Sequence, residues 1–309
     1  MQALCESHPV VDCEPRLAGP AGATASSDSG PKAARDMLSV IILTFNSAAV
    51  IDQTMRAALA LSPSVFVVDS GSSDDTVAIV EALGGLVVQH PFKHYSDQRN
   101  WAIDTFEGRA EWQLHLDADE VPDARAIAEI RRVLAAPAAA DGFIFKRRTY
   151  FLGRPLRFGG ASNYHLRLFR AGSARCEDRL YDQHFVAEQP GVRLAGLLHD
   201  LNAGTLTEWT NRHNRWSDLE AAELLRPSAT VAGQIQARLS ADPRERRRLY
   251  KGGYYRVAPF WRAMLLFVYR YVLQRGFLDG RAGFLYAFFQ VLWFRMLVDA
   301  KFIEATKRT

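Results

Sequence analysis

The segment His115-Leu116-Asp117-Ala118-Asp119-Glu120 sets three acidic side chains at the end of an apolar run, just before Val121-Pro122. Successive strand residues point to opposite faces, so Asp117 and Asp119 point the same way and aim two carboxylates at one spot beyond a sheet edge. Like charges that close need a partner. A hard divalent cation coordinated by oxygens, itself bound to a diphosphate, meets that need. The competing reading is a solvated acidic turn that caps a helix starting near Asp123.

The elements that must position these acids are legible upstream. The apolar run 38–43 gives way to Thr44-Phe45-Asn46-Ser47 and then to a helical pattern through Ile51, Met55 and Ala58. A second run, 65–68, ends in Asp69-Ser70-Gly71-Ser72-Ser73-Asp74-Asp75 before a helix through Thr76, Val80 and Leu83. A short strand at 86–88, a loop, a helix holding Gln98-Arg99-Asn100-Trp101 and a strand at 112–116 follow. Strands alternating with helices predict an α/β fold with a mainly parallel, Rossmann-like sheet flanked by helices. Ligands bind such sheets at the carboxyl ends of the strands, where Thr44, Asp69 and Asp117 all fall.

Beyond Pro137 the spacing predicts strands at 142–146, 165–169 and 194–199, a turn-rich stretch at 178–185, and helix from Leu206 onward. The organisation expected is a disordered leader over 1–36, a sheet domain over 37–204 and a helical extension over 205–309. Trp209 and Trp216 read as core residues of that extension. With 309 residues and 48% hydrophobic content the chain can bury a large core. Cys5, Cys13 and Cys176 are too scattered for a disulfide scaffold or a zinc site. The leader has no basic start or continuous apolar segment, which predicts a cytoplasmic folded part.

Net charge is only +4, yet Arg244, Arg246, Arg247, Arg248, Lys251 and Arg256 crowd together, a pattern that suits an anionic surface. Nucleic acid is not among the expected partners. The aromatic stretches around 260–273 and 284–294 are interrupted by Arg262, Arg270, Arg275, Arg281 and Arg295. Neither reaches the roughly 20 apolar residues of a spanning helix, so peripheral contact with a membrane face is predicted instead.

No G-x-G-x-x-G follows a strand and no Gly-rich loop ends in Lys-Ser or Lys-Thr, which sets aside dinucleotide and P-loop chemistry. The first loop, Thr44-Phe45-Asn46, is neither Gly-rich nor basic, as a pyrophosphorylase of similar architecture would need. The chain resembles the inverting glycosyltransferases of family 2, with the fold called GT-A. The resemblance rests on Ser39-Val40-Ile41-Ile42-Leu43-Thr44-Phe45-Asn46, Val67-Val68-Asp69-Ser70-Gly71-Ser72-Ser73-Asp74-Asp75-Thr76, Gln98-Arg99-Asn100 and Leu116-Asp117-Ala118-Asp119-Glu120. Tyr150-Phe151-Leu152-Gly153, Gly159-Gly160, Leu166-Arg167-Leu168-Phe169-Arg170 and Arg275-Gly276-Phe277-Leu278-Asp279-Gly280 look like a bacterial branch that builds lipopolysaccharide core or exopolysaccharide.

The resemblance implies that Thr44, Asn46, Asp69, Ser70, Gln98, Arg99, Asn100, Asp117 and Ala118 line a nucleotide-sugar pocket. It implies that Asp119, helped by Asp117, binds Mg²⁺ or Mn²⁺. It also implies a general base that deprotonates the acceptor hydroxyl. Asp182, with His184 as helper, is the expected base, and Glu177 and Asp178 stand just before; relatives often carry His-Glu at this point. The expected partners are a nucleoside-diphosphate sugar and a glycan or lipid-linked acceptor, met at the inner face of the plasma membrane. Two other readings stay open: a non-catalytic sugar-nucleotide or glycan binder of the same fold, and a nucleotidyltransferase.

Overall fold

The computed structural model describes residues 36–136, 140–226 and 233–308. The leader expected over 1–36 lies outside the described residues except for Asp36, and so do Cys5, Cys13 and Pro137. Strands β1 (Asp36–Thr44), β2 (Val65–Asp69), β3 (Leu86–Gln89) and β4 (Ala110–Asp117) alternate with helices α1 (Ile51–Leu59), α2 (Thr76–Ala82) and α3 (Tyr95–Phe106). Then come β5 (Glu120–Pro122), α4 (Ala124–Leu134), β6 (Gly142–Phe151), β7 (Arg154–Pro155), β8 (Asn163–Arg170), β9 (Ala174–Cys176), β10 (Phe185–Ala187) and β11 (Val192–Asp200).

The main sheet runs β3-β2-β1-β4-β8-β6-β11-β5, with β7 beside β6. Its first four strands are parallel, as expected. The rest is mixed: β8 runs antiparallel to both β4 and β6, and β5 runs antiparallel to β11. The fold is α/β, with parallel pairing confined to β3-β2-β1-β4 and to the β6–β11 pair.

β1 is buried on both faces, as parallel strands are. Leu38, Val40 and Ile42 pack with Ile51, Met55 and Ala58 of α1 and with Ala126 and Ile130 of α4. Ile41 on the opposite face packs with Phe66, Val68, Ala102 and Phe106. Each such fully buried large aliphatic or aromatic side chain contributes about 1.5–3 kcal/mol. Asp123 caps α4, its Oδ1 accepting from the Ala126 N–H at 2.6 Å, so the helix starts where the sequence predicts. Gly196 lets β11 touch that helix, because a Cβ there would lie 2.3 Å from Ala126 Cα.

Four helical segments complete the described chain. α5 (Leu206–Leu225) opens with a capping box of Thr205 and Glu208, and α6 (Pro243–Tyr255) carries the basic cluster. α7 (Trp261–Val268) continues through wider turns to Leu273 and reverses at Arg275, whose φ is +58°. A short turn, Gly276–Asp279, leads into α8 (Gly280–Tyr286), which runs on through Ala287–Trp293 into α9 (Phe294–Arg308). Trp209 is buried, as expected, and stacks on His213.

The segment Gly276–Lys307 is one helix long and apolar enough by length and composition to cross a membrane. Its interruptions do not break it, because Arg295 pairs with Glu220 of α5 at 2.7 Å. Asp299 likewise holds Arg262, at 2.9 Å from its Nε. Phe294 and Val298 are buried beside them, so this side of the helix packs on protein.

Candidate active site

Strand register brings the expected acids to one level. Thr44 pairs with Asp69, Leu43 with Asp117, and Asp69 with Gln89, all at carboxyl ends of the parallel strands. What each side chain does there differs.

The loops after β1 and β2 are laced together. Asn46, at φ +46°, accepts from the Ser73 N–H at 2.8 Å, while its own N–H donates to Ser72 Oγ. Asp69 is fully buried, and its Oδ2 accepts from the Gly71 and Ser72 N–H groups at 3.0 and 2.8 Å. Its carboxylate therefore shapes the loop that holds Ser70, the capping-type role that competes with direct nucleotide contact. Gln98 donates to Ser70 Oγ at 3.1 Å. Thr44 Oγ1 and Gln98 Oε1 are buried without a hydrogen-bond partner among the described residues. Such atoms are costly unless a ligand or water satisfies them. Asn100 instead pins β9, exchanging hydrogen bonds with the Cys176 backbone at 2.8 and 3.1 Å.

The acidic trio divides its labour. Asp117 has both oxygens occupied, by Arg99 at 2.8 Å and by Arg167 at 2.7 Å. Burial alone would raise its pKa, but the two guanidinium groups hold it far below the usual range. Glu120 is fully buried and accepts from Arg167 at 2.6 Å and from the Asp117 N–H at 3.2 Å. The Ala118 carbonyl accepts from Thr54 Oγ1 at 2.7 Å, which fixes the turn between the two aspartates.

Asp119 is different. Its carboxylate has no hydrogen-bond or ion-pair partner among the described residues, and its side chain is half-buried. Burial first, and then Asp200, Asp117 and Glu120, push its pKa up to about 7. Among the described residues no group of three or more His, Cys, Asp or Glu side chains is arranged to hold a metal ion. A cation here would be held by Asp119 together with oxygens of a bound ligand, the way Mg²⁺ is usually held by one or two carboxylates plus substrate phosphates. An unpartnered carboxylate amid like charges fits that donor set.

Arg167, Glu120, Arg147 and Asp200 belong to this cluster although sequence reasoning gave them no role. Arg147 lies 3.5 Å from both Glu120 and Asp200, and Asp200 pairs in register with Glu120 and Thr149. The available signal was Arg167 itself, a charge inside the otherwise apolar run Leu166 to Phe169.

Asp182 and His184 lie together, Oδ1 to Nε2 at 3.7 Å, but among other partners. Asp182 takes φ +60° and meets Lys251 at 3.1 Å and Arg247 at 3.8 Å, both from α6. Burial would raise its pKa, yet these cations hold it well below the normal value. Burial also keeps His184 neutral. Glu177 is spent on the His184 and Ile235 N–H groups and on Arg248, while Asp178 is exposed near Arg226. Among the described residues no hydrogen bond or ion pair joins Asp182 or His184 to Asp117 or Asp119. The two groups approach through His165, whose ring stacks 5.4 Å from His184 and whose charge neighbours include Arg147 and Arg167.

The open carboxylate and its clamped neighbours thus gather at the carboxyl ends of parallel strands, where α/β sheets bind their ligands. The sequence model of glycosyl transferase family 2 matches residues 39–179, so this segment is similar to that family. An uncharacterized glycosyltransferase of Rickettsia felis is 36% identical over 101 residues, 33% of this chain and 35% of that protein. The chain thus matches about a third of the length of this relative. The lipopolysaccharide core biosynthesis glycosyltransferase LpsC of Rhizobium meliloti is 27% identical over 195 residues, 60% of this chain and 70% of that protein. Among solved structures, S. aureus TarS 1–349 in complex with UDP-GlcNAc has a TM-score of 0.43 at 15% identity, covering 87% of this chain and 92% of that one. Glucosyl-3-phosphoglycerate synthase of Mycobacterium tuberculosis, in complex with Mn²⁺, UDP and glucosyl-3-phosphoglycerate, has a TM-score of 0.29 at 18% identity, over 38% and 45% of the two chains.

Proposed function

We propose that this protein is a metal-dependent, inverting glycosyltransferase. It moves a sugar from a nucleoside diphosphate to a glycan or lipid-linked acceptor in cell-surface polysaccharide or lipopolysaccharide biosynthesis, at the inner face of the plasma membrane. The observation that carries this reading is Asp119, an open carboxylate at the strand-end cleft beside an Asp117 already neutralised by two arginines. The name of LpsC supports the choice of acceptor class.

Mg²⁺ or Mn²⁺ at Asp119 would supply Lewis-acid neutralisation of the departing diphosphate. Thr44 and Gln98 offer buried, unsatisfied polar atoms at the donor end, and Arg99 and Arg167 fix Asp117 so that Asp119 keeps its direction. The acceptor oxygen attacks the anomeric carbon opposite the leaving diphosphate. Its bond to carbon forms as the bond to the phosphate oxygen breaks, and its proton passes to a base.

We assign that base to Asp200, at the end of β11 beside the acidic cluster. Burial raises its pKa toward the range a base needs, partly offset by Arg147. Asp182 and His184, bound into the α6 cation cluster, act as positioning groups. Asp200→Asn is expected to lower kcat about 10²- to 10⁴-fold, and Asp182→Asn less than tenfold by the same reasoning, measured as nucleoside diphosphate release across a panel of donors. A larger loss in Asp182→Asn than in Asp200→Asn returns the base to Asp182.

The membrane face is the surface carried by α7, the turn after it and α8. Trp261 is 70% exposed, Leu265 58% and Leu273 69%, with Val272, Phe277 and Leu278 exposed around them. From Arg246 to Val298 the sole acidic residue is Asp279, and it is turned inward onto the Arg157 and Phe158 N–H groups. Exposed Arg256, Arg275 and Arg281 border the apolar surface, which complements anionic lipid. The double variant Trp261→Glu/Leu265→Glu is expected to lose co-sedimentation with phosphatidylglycerol vesicles while keeping nucleoside diphosphate binding. Unchanged sedimentation would remove the membrane from the reading.

A further inference from the structure

Two strands joined by a two-residue loop favour Asn-Gly there, because both loop residues take positive φ and asparagine and glycine do so at least cost. The hairpin of β6 and β7 has such a loop, with Phe151 paired to Arg154, but its residues are Leu152 at φ +49° and Gly153 at φ +72°. Leucine gains nothing from this backbone conformation. Its side chain is nevertheless 53% exposed, an apolar group held out into water at a hairpin tip.

The hairpin is anchored to the helical segments. Phe151 at its base packs edge-on to Trp209 of α5 and to Tyr286 of α8, with ring centroids 5.6 Å apart in each pair. The loop after β7 is fastened to the turn between α7 and α8: Asp279 accepts from the Arg157 and Phe158 N–H groups at 3.0 and 2.9 Å, and Gly159 N–H donates to the Gln274 carbonyl at 3.0 Å. A Cβ on Gly159, at φ +64°, would lie 3.2 Å from Gly276 Cα, so the two backbones meet directly. Exposed Phe158 is thereby joined to the turn that carries exposed Phe277 and Leu278. Charge agrees with this apolar surface. From Gly142 to Cys176 the sequence has no acidic residue, and the exposed Arg154 and Arg157 form no ion pair among the described residues. Asp279 is the one acid fastened to the loop, and its carboxylate is occupied by the loop's own N–H groups.

We infer that the β6–β7 hairpin and the loop after it are a second membrane-contacting element, contributed by the sheet: Leu152 and Phe158 enter the interface of an anionic bilayer, and Arg154 and Arg157 meet its headgroups. This rests on the membrane face assigned above to α7 and α8, and it extends that face onto the sheet. One contact lets a rigid body rock on a surface; a second fixes its tilt. β6 covers about 15 Å from Arg147, which lies beside Glu120 and Asp200, to the hairpin tip. The acidic cluster is thus held close to the headgroup level of a lipid-linked acceptor.

The test uses the full chain carrying Cys5→Ser and Cys13→Ser, which leaves the buried Cys176, and a nitroxide attached in turn at Leu152→Cys, at Leu265→Cys of α7 and at Leu86→Cys, an exposed site on the edge strand β3. With phosphatidylglycerol vesicles, access of oxygen to the label relative to a nickel chelate is expected to rise about threefold or more at 152 and 265 and to stay constant at 86. Leu152→Asn should bind the same vesicles about threefold or more weakly. Its urea midpoint should be unchanged or higher, because asparagine suits the left-handed conformation. A label at 152 that stays in water while the label at 265 enters lipid overturns the inference and leaves the α7–α8 face standing. Labels at both positions in water remove the membrane reading and this inference with it. Immobilisation of the 152 label without vesicles would assign the hairpin to a protein partner, a second copy of this chain included, and overturn the bilayer assignment. Nucleoside diphosphate binding with Mn²⁺, measured on the same labelled samples, checks the fold and keeps failure here separate from failure of the transferase reading.

Discussion

Asp119→Asn is expected to lower kcat by about 10³-fold or more, the several kcal/mol that a Lewis acid supplies at a leaving diphosphate. The fold should survive, because no hydrogen bond or ion pair of the described structure depends on this carboxylate. Asparagine keeps the shape and removes the charge that a hard cation requires. Two measurements separate the cause. Mn²⁺ binding in the presence of a nucleoside diphosphate, read by paramagnetic relaxation, should disappear in the variant. Chelation of metal from the unaltered protein should produce a loss of the same size. A variant that turns over normally would remove the metal role from Asp119 and, with it, the main support for metal-dependent transfer.

The largest expected effect on stability comes from a residue at the other side of the same cluster. Arg167 is 2% exposed and donates to Asp117 at 2.7 Å and to Glu120 at 2.6 Å. Arg167→Met fills similar volume but leaves Glu120, fully buried, with the Asp117 N–H at 3.2 Å and, as its cation, Arg147 at 3.5 Å. Removing one partner of a buried ion pair costs about 3–5 kcal/mol, so the urea midpoint should fall steeply. The double variant Arg167→Met/Glu120→Gln should recover part of that loss, since the stranded charge is gone. A single variant as stable as the parent would show that Glu120 is satisfied some other way. Arg99 still holds Asp117 in these variants, so Asp117 is the less exposed of the two carboxylates to this change.

These effects also separate what sequence reasoning reaches from what it misses at the site. The convergence of Thr44, Asp69 and Asp117 followed from apolar runs that end in polar residues, and register bears it out. The roles within the group did not follow. Asp69 turned out to bind its own loop, Asn100 to fasten β9, and Arg99 to pair with Asp117, because hydrogen-bond partners are chosen by loop geometry that side-chain type alone does not encode. β5 escaped notice because a three-residue strand exists only through its partner β11, almost eighty residues further on.

The helical extension shows the same division. Apolar spacing predicted helices from Leu206 and a buried Trp209, which the structure contains. Arginines within the apolar stretches read as interruptions, yet Arg295 is neutralised by Glu220 across helices and the rod from Gly276 to Lys307 is continuous.

By itself the sequence determined the α/β alternation, the strand-end placement of the acids and the apolar, cation-bordered helices, since periodicity and turn chemistry act over a few residues. Tertiary structure alone decided that β8 lies between β4 and β6, which delivers Arg167 to Asp117 and leaves Asp119 as the open carboxylate. It also decided that Asp182 faces α6 and Asp200 faces the acidic cluster. Charges pair with whatever the packed chain brings within a few ångströms, and that distance is set by topology rather than by separation along the sequence.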